Sequence, residues 1–595
     1  MFKKYISVIC CFVLSVFIFC LSASTYSGYL AQAVPVSSDQ PFADVPADSV
    51  YYDAVTELRG MGITEGIGSN RFGYGKTITR GEFITWLVNI MGWEQVDPKK
   101  ASFKDNQDIE KTYYKPIETA LARGVISKNT ARIRPSDPVT REEATVMTVN
   151  SLGWGGLAGK LSYLGTLYKD VKTNSGYITM ARDFGFIDPA PAFNPLGKLL
   201  KEEAARMLVR LNEARLRPLK DLNAFYAISS SSQQDKIADL TSASFGWSRL
   251  SYDPESGHVV VNSSSKALGY NEYSLPKGFS ERLNSARESG VPALLMINAT
   301  QDMKITDPLT GSKTGIPEFV LTNPGESGSV ITEIAASVNE LANGEEKGSF
   351  DGVVIDFEGL RGDKLKKSFN EFLKNLRAEL DKDGKKLYVA VQPLINKKYS
   401  SSCFDGYDYR TIGIYADKVI LMAHDYDAKK LSASDMARGF NITPPTPIEN
   451  IYYALEKITD SKTGVQDKSK IMLQISFDWI VWQKENGKTV NSTAEKFNLA
   501  NFMDLLNTNK KITYLYAKDY ENPYIKYIDT KTGFESTVWY ENTASVMKKV
   551  DLARLFGIQG ISLWRLGTIP DYQPVNGKDF DMDVWQSILH EMEKD

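Results

Sequence analysis

The run "SFDGVVIDFEGL", residues 349–360, carries two carboxylates, Asp356 and Glu358, at the end of an apolar stretch. Val353, Val354 and Ile355 are β-branched, so the segment reads as a buried strand of the kind found in parallel sheets. Side chains alternate across a strand, which puts both acids on one face, roughly 6–7 Å apart. A pair so placed can hydrolyse a bond with a poor leaving group. One carboxyl, still protonated near neutral pH, gives its proton to the departing oxygen. The competing reading is a solvated strand end, and the elements around the pair decide between the two.

Those elements are short apolar β-rich runs that follow a change of texture after Arg217-Pro-Leu-Lys: "LNAFYAI" (222–228), "ASFGWSRL" (243–250), "VPALLMIN" (291–298), the 351–358 run, "KKLYVAVQP" (385–393), "ADKVILMAHDYD" (416–427), "KIMLQISFDW" (470–479) and "IQGISLWRLG" (558–567). Helical patterns separate several of them, for example 364–380 and 544–555. The alternation predicts a (β/α)8 TIM barrel of the α/β class over residues 222–590. Its active site would lie at the C-terminal strand ends, where Asp356, Glu358, Gln392, Asp425, Asp478 and Trp564 fall, with Gln474 inside its run. Residues 487–537 are too long for a simple loop and form an insertion before the last strand, expected to wall one side of a cleft.

The first part of the chain has another texture. Lys3 and Lys4 precede an apolar run, and Ala31-Gln32-Ala33 follows, which predicts a signal peptide over residues 1–33 and a secreted protein. Cys10, Cys11 and Cys20 lie in that segment, leaving Cys403 and no intramolecular disulfide. A net charge of −3 over 595 residues gives no electrostatic case for nucleic acid. The three histidines, His258, His424 and His590, have no metal-ligand spacing. A repeat of about 60 residues then runs through 42–95, 102–154 and 161–214. Phe42-Ala-Asp44 recurs as Phe103-Lys-Asp105 and Tyr168-Lys-Asp170. Each unit reaches a polar signature before a helix: Thr79-Arg80-Gly81-Glu82, Thr140-Arg141-Glu142-Glu143 and Leu200-Lys201-Glu202-Glu203. The first two signatures predict a capping box, and the third loses the Thr.

These units resemble S-layer homology domains. The resemblance implies an all-α-rich triple repeat that binds a pyruvylated secondary polymer of the bacterial cell wall, with Arg80, Glu82, Arg141, Glu143 and Lys201 as contacts. An Arg in the first turn of a helix adds a bidentate donor to the positive helix end and so suits a carboxylate-bearing glycan. The same side chains would also serve to tie units together by salt bridges.

The run Asp351 to Glu358 resembles the D-x-x-D-x-D-x-E signature of glycoside hydrolase family 18, and within it the spore-cortex and peptidoglycan N-acetylglucosaminidase branch. "MAHDYD" (422–427) and "VWYENTASVMKKVDLARLFGIQGISLWRLG" (538–567) extend the likeness. Two positions depart from the pattern: Val354 replaces the middle Asp, and His424 the usual Tyr. The resemblance implies substrate-assisted retaining hydrolysis of β-linked N-acetylglucosamine polymers, peptidoglycan or chitin-like, without cofactor or metal. Glu358 would be the proton donor, and Asp356 would orient the acetamide that attacks the anomeric carbon. Asp425, Tyr426, His424, Gln392 and Gln474 would contact substrate, with Tyr426 the candidate to steady the acetamide. Trp247, Trp479, Trp539 and Trp564 offer flat faces for sugar rings, or equally for a core. The rival readings are a catalytically silent glycan-binding module and a structural surface-layer component.

Overall fold

The computed structural model describes residues 41–593 except 109–110, 265–272, 309, 396–403, 425, 427–429, 509–510 and 572–579. The expected signal peptide, Cys403 and Asp425 therefore lie outside the described residues. The chain divides into two compact units. One holds the described residues up to Gly155 with Tyr168–Thr173 and Ala190–Asn212; the other holds Gly156–Leu167, Asn174–Pro189 and Glu213–Asp595.

In the first unit each repeated Asp closes a loop. Asp44 accepts the backbone N–H groups of Phe72, Gly73 and Tyr74, Asp105 those of Ile133 and Arg134, and Asp170 those of Phe193 and Asn194. The polar signatures open the helices Arg80–Ile90, Arg141–Ser151 and Lys201–Leu216, and the first two have the complete capping box. In all three the Glu at the third helical position returns its Oε2 to the backbone N–H before the helix, including Leu200, which has no capping side chain. The other oxygen, Oε1, accepts from a cation of another repeat. Arg80 reaches Glu143 at 2.6 Å, Arg141 reaches Glu203 at 2.6 Å and Lys201 reaches Glu82 at 2.7 Å. The pairs form a closed cycle, so one signature both starts a helix and fastens it to its neighbour.

In the second unit the strands Asp221–Tyr226, Ser242–Asp253, Ala293–Thr300, Gly352–Glu358, Lys386–Val391, Lys418–Leu421, Ile471–Ser476 and Gly560–Trp564 pair in parallel in that order. The last returns to the first, Gly560 opposite Asp221, and closes the sheet. This is the expected (β/α)8 barrel. Its interior holds an apolar cluster that includes Phe225, Met296, Val354, Tyr388 and Met472. Val354 points inward, so alternation turns Asp356 and Glu358 inward above it. Phe357, between them, points outward against Phe369 and Phe372 of the helix Gly362–Asp381. That helix buries Leu365, Phe369, Phe372, Leu376 and Leu380 at helical spacing, which locks the fourth strand in register.

Between the seventh and eighth barrel strands, residues 479–539 build a six-stranded antiparallel sheet with a core of its own around Trp479, Phe502, Ile525 and Val538. The unit also contains part of the segment that the sequence assigns to the third repeat. Phe184, which ends the helix Ser175–Asp183, packs edge-on against Phe556 at 5.3 Å, and Tyr452 donates its hydroxyl to Asp183 at 2.6 Å. Phe184→Ala should therefore cost about 3–5 kcal/mol. Scanning calorimetry of the full chain should show the barrel transition lowered by several degrees, while no change in that transition would mean that this contact does not stabilise the barrel.

Candidate active site

At the C-terminal end of the barrel, Asp356 and Glu358 line a cavity of about 200 Å³ together with Phe225, Tyr273, Gln392, Pro393, Ile395, Phe404, Met422, His424, Tyr426, Gln474 and Trp564. A second cavity, of about 550 Å³, shares Glu358, Gln392 and Phe404 with the first and adds Gln301, Arg361 and Lys364 among others. Glu358 thus stands where two cavities meet.

Asp356 is 4% exposed. Asn298, directly across the pairing on the third strand, donates Nδ2 to its Oδ2 at 3.0 Å. Its Oδ1 is buried and has no hydrogen-bond partner among the described residues. Burial pushes this carboxyl up to about 6; the Asn298 hydrogen bond and the nearby His424 pull the other way. Among the described residues no second acid lies beneath it on its strand, where Val354 supplies a fully buried aliphatic side chain. His424 Nε2 stands 2.7 Å from Gln474 Oε1, and since an amide oxygen only accepts, the imidazole donates there.

Around Glu358 the turn is fixed by groups from later in the chain. The Gly359 N–H donates to Gln392 Oε1 at 2.6 Å, and the buried Tyr407 hydroxyl donates to the Phe357 carbonyl at 2.7 Å. Burial holds the Tyr407 phenol well above its ordinary value, and Glu358 and Asp356 push it further the same way, so it stays a neutral donor. Gly359 has a φ of 81°, and a side chain there would run into Gln301, so the turn requires glycine.

The expected residues divide cleanly. Asp356, Glu358, Gln392, His424, Tyr426, Gln474 and Trp564 come together in one cavity. Trp564 forms part of its wall against Phe225, with ring centroids 5.2 Å apart. Three tryptophans go elsewhere. Trp247 is fully buried against Phe245, Tyr226 and Phe279; Trp479 stacks on Tyr540 at 4.7 Å; and Trp539 donates its indole N–H to the Asn441 carbonyl in the core beside the inserted sheet. Among the described residues, none of the inserted sheet lines the two cavities, whereas residues 487–537 were expected to wall the cleft. Reading the sequence also missed Asn298, Tyr407, Tyr273 and Phe404. The one available signal was Asn298, a polar residue at the end of the apolar run "VPALLMIN". Arg80 and Lys201 are buried in their ion pairs, and Arg80 also donates to the Ile133 and Arg134 carbonyls.

Because Asp356 in the fold titrates above the ordinary carboxyl value, its contribution to stability is fully present below about pH 4 and is lost as pH rises through about 6. Asp356→Asn should leave stability unchanged at pH 4 and raise it by up to about 3 kcal/mol at pH 7.5. Thermal unfolding at the two pH values checks this, and a variant less stable at pH 7.5 would contradict the assignment.

Residues 310–568 match glycosyl hydrolases family 18, and residues 41–84 and 102–145 match the S-layer homology domain. A cortical fragment-lytic enzyme of Bacillus anthracis is 25% identical over 282 residues, covering 45% of this chain and 60% of that protein. A cell surface protein of Thermoanaerobacter kivui is 26% identical over 166 residues, covering 27% of this chain and 20% of that protein. The crystal structure of the Bacillus cereus spore cortex-lytic enzyme SleL aligns with a TM-score of 0.46 at 18% identity, covering 63% of this chain and 74% of that one. The chain thus spans less than two thirds of the length of the curated relatives that it matches. The glycosyl hydrolases family 18 match thus falls within the barrel, and the S-layer homology matches precede it.

Proposed function

We propose that this chain is a secreted, wall-anchored glycoside hydrolase that cleaves β-linked N-acetylglucosamine-containing glycans, with peptidoglycan as the favoured substrate, by substrate-assisted retaining hydrolysis. The observation that carries the reading is the position of Glu358, lining both cavities at their junction, with the buried Asp356 beside it in the first. A glycan laid across the junction presents its scissile oxygen to Glu358, the sugar to be attacked in the smaller cavity and the leaving group in the larger. Family 18 works without an enzyme nucleophile, and the acetamide carbonyl of the bound sugar takes that role.

Asp356 Oδ1 has the acceptor capacity to take the acetamide N–H, while Asn298 holds the other oxygen. Ionised Asp356 then offsets the positive charge that develops as the ring closes. His424, fixed on Gln474, and Tyr426 bound the space for the acetamide, and Trp564 presents a ring face to the sugar. The likeness to proteins named for lysis of cortical fragments favours peptidoglycan over chitin as the polymer.

Anchoring rests on the S-layer homology match, with the pyruvylated wall polymer as proposed partner. The ion-pair cycle ranks the candidate contacts. Arg141 is more exposed than Arg80 or Lys201 and is the better placed to reach a polymer carboxylate. In full chain, Arg141→Ala should weaken binding to isolated sacculi, and walls stripped of pyruvylated polymer should bind none. Equal binding to stripped walls would refute this anchor.

For the chemistry, Glu358→Gln keeps shape and hydrogen bonding but removes the transferable proton, so turnover should fall at least about 10²-fold with glycan affinity little changed. The pH–rate profile of the wild type should lose activity as pH falls below about 6, where Asp356 takes up its proton, and Asp356→Asn should lack that limb while losing rate throughout. An acid limb retained in Asp356→Asn would assign it to another group.

A further inference from the structure

The smaller cavity has a second neighbour, which Glu358 does not line. A cavity of about 450 Å³ shares Ile395 and Tyr426 with it and is otherwise lined by Lys160, Tyr163, Glu449, Tyr453 and two further residues. Two of these, Lys160 and Tyr163, lie upstream of the barrel, within the stretch Gly156–Leu167 that is compact with it.

We propose that this cavity is a distal glycan subsite, completed by the segment that precedes the barrel. The proposal rests on the reading of the barrel as a glycan hydrolase and adds where the rest of the chain of sugars lies. Three tyrosines, Tyr163, Tyr426 and Tyr453, give the cavity aromatic surface, and Lys160 and Glu449 give it a donor and an acceptor at its edge. Aromatic faces with a few polar groups are the composition that takes the apolar face and the hydroxyls of a pyranose. Because Tyr426 and Ile395 belong to both cavities, a glycan leaving the first past these two residues runs directly into this one.

The wall is held in shape from both sides. Glu449 and Tyr453 stand on the helix Ile448–Ile458, whose opposite face buries Ile451, Tyr452 and Leu455. Tyr452 is fastened to Asp183 and stacks edge-on with Phe556 at 5.2 Å. Tyr163 is carried on the short 3-10 helix Leu161–Leu164, and the adjoining Lys160 pairs with Asp519 at 3.0 Å and lies over the Tyr520 ring. The upstream segment is thereby tied both to the barrel helix and to the inserted sheet, and it stands as a wall of the cleft.

The experiment uses the full chain carrying Glu358→Gln, so that binding is read without turnover, and the trimer and hexamer of N-acetylglucosamine as probes. Calorimetry should give tighter binding of the hexamer, by about 10-fold. Adding Tyr453→Ala, or separately Tyr163→Ala, should remove that advantage and leave trimer affinity within about 2-fold, which also reports that the site is still folded. Equal affinity for the two oligomers, or an equal loss on both in the tyrosine variants, would overturn the subsite. Trimer cleavage by the wild type tests the hydrolase reading separately. Cleavage without a hexamer advantage would remove the subsite alone, and binding of neither oligomer would remove both.

Discussion

A carboxyl group as deeply buried as Asp356, at the mouth of the barrel, needs support that its own strand cannot give, because desolvation disfavours the charged form that the proposed chemistry requires. That support comes from three other strands. Asn298 on the third holds one oxygen, His424 beyond the sixth supplies favourable charge, and Gln474 on the seventh fixes that imidazole. Barrel closure is what brings these residues within reach of one another, and Phe357 against the helix Gly362–Asp381 keeps the register that points Asp356 and Glu358 inward. With Val354 beneath it, Asp356 has, among the described residues, no acidic neighbour below it on its strand, so the proton it carries or lacks is governed by the groups at the barrel mouth.

The other unit solves a different problem with equal economy of residue types. A Glu at the third position of a helix caps the backbone with one oxygen and receives a cation from another repeat with the other. Arg80 and Lys201 are largely withdrawn from solvent in these pairs, so removing either would strand a partly buried carboxylate. Changes at these positions therefore act on the frame of the repeats before they act on any polymer contact, and Arg141 is the cation of the cycle with most surface left to offer.

Much of this was legible in the sequence. The β-branched run before Asp356 and Glu358, and the seven comparable runs, fix the barrel because period and length leave few alternatives. That Asp356, Glu358, Gln392, His424, Tyr426, Gln474 and Trp564 share one cavity follows from their places near strand ends. The tryptophans were not separable, since bulk and flatness suit a core as well as a sugar: Trp564 reaches the cavity, whereas Trp247, Trp479 and Trp539 fill interiors. Tyr407 acts through a backbone carbonyl fifty residues away, a contact no local pattern encodes. Residues 156–167 and 174–189 also sit with the barrel through contacts such as Phe184 with Phe556, although their repeat pattern groups them with the helices before.

Substrate assistance, with Asp356 orienting the acetamide and Glu358 giving the proton, is tested most directly by the rate at which the full chain releases reducing ends from one glycan before and after chemical de-N-acetylation. The predicted result is cleavage of the N-acetylated polymer with loss of at least about 10²-fold in rate on the de-N-acetylated one, because the attacking carbonyl is gone. Equal cleavage of both polymers would contradict it.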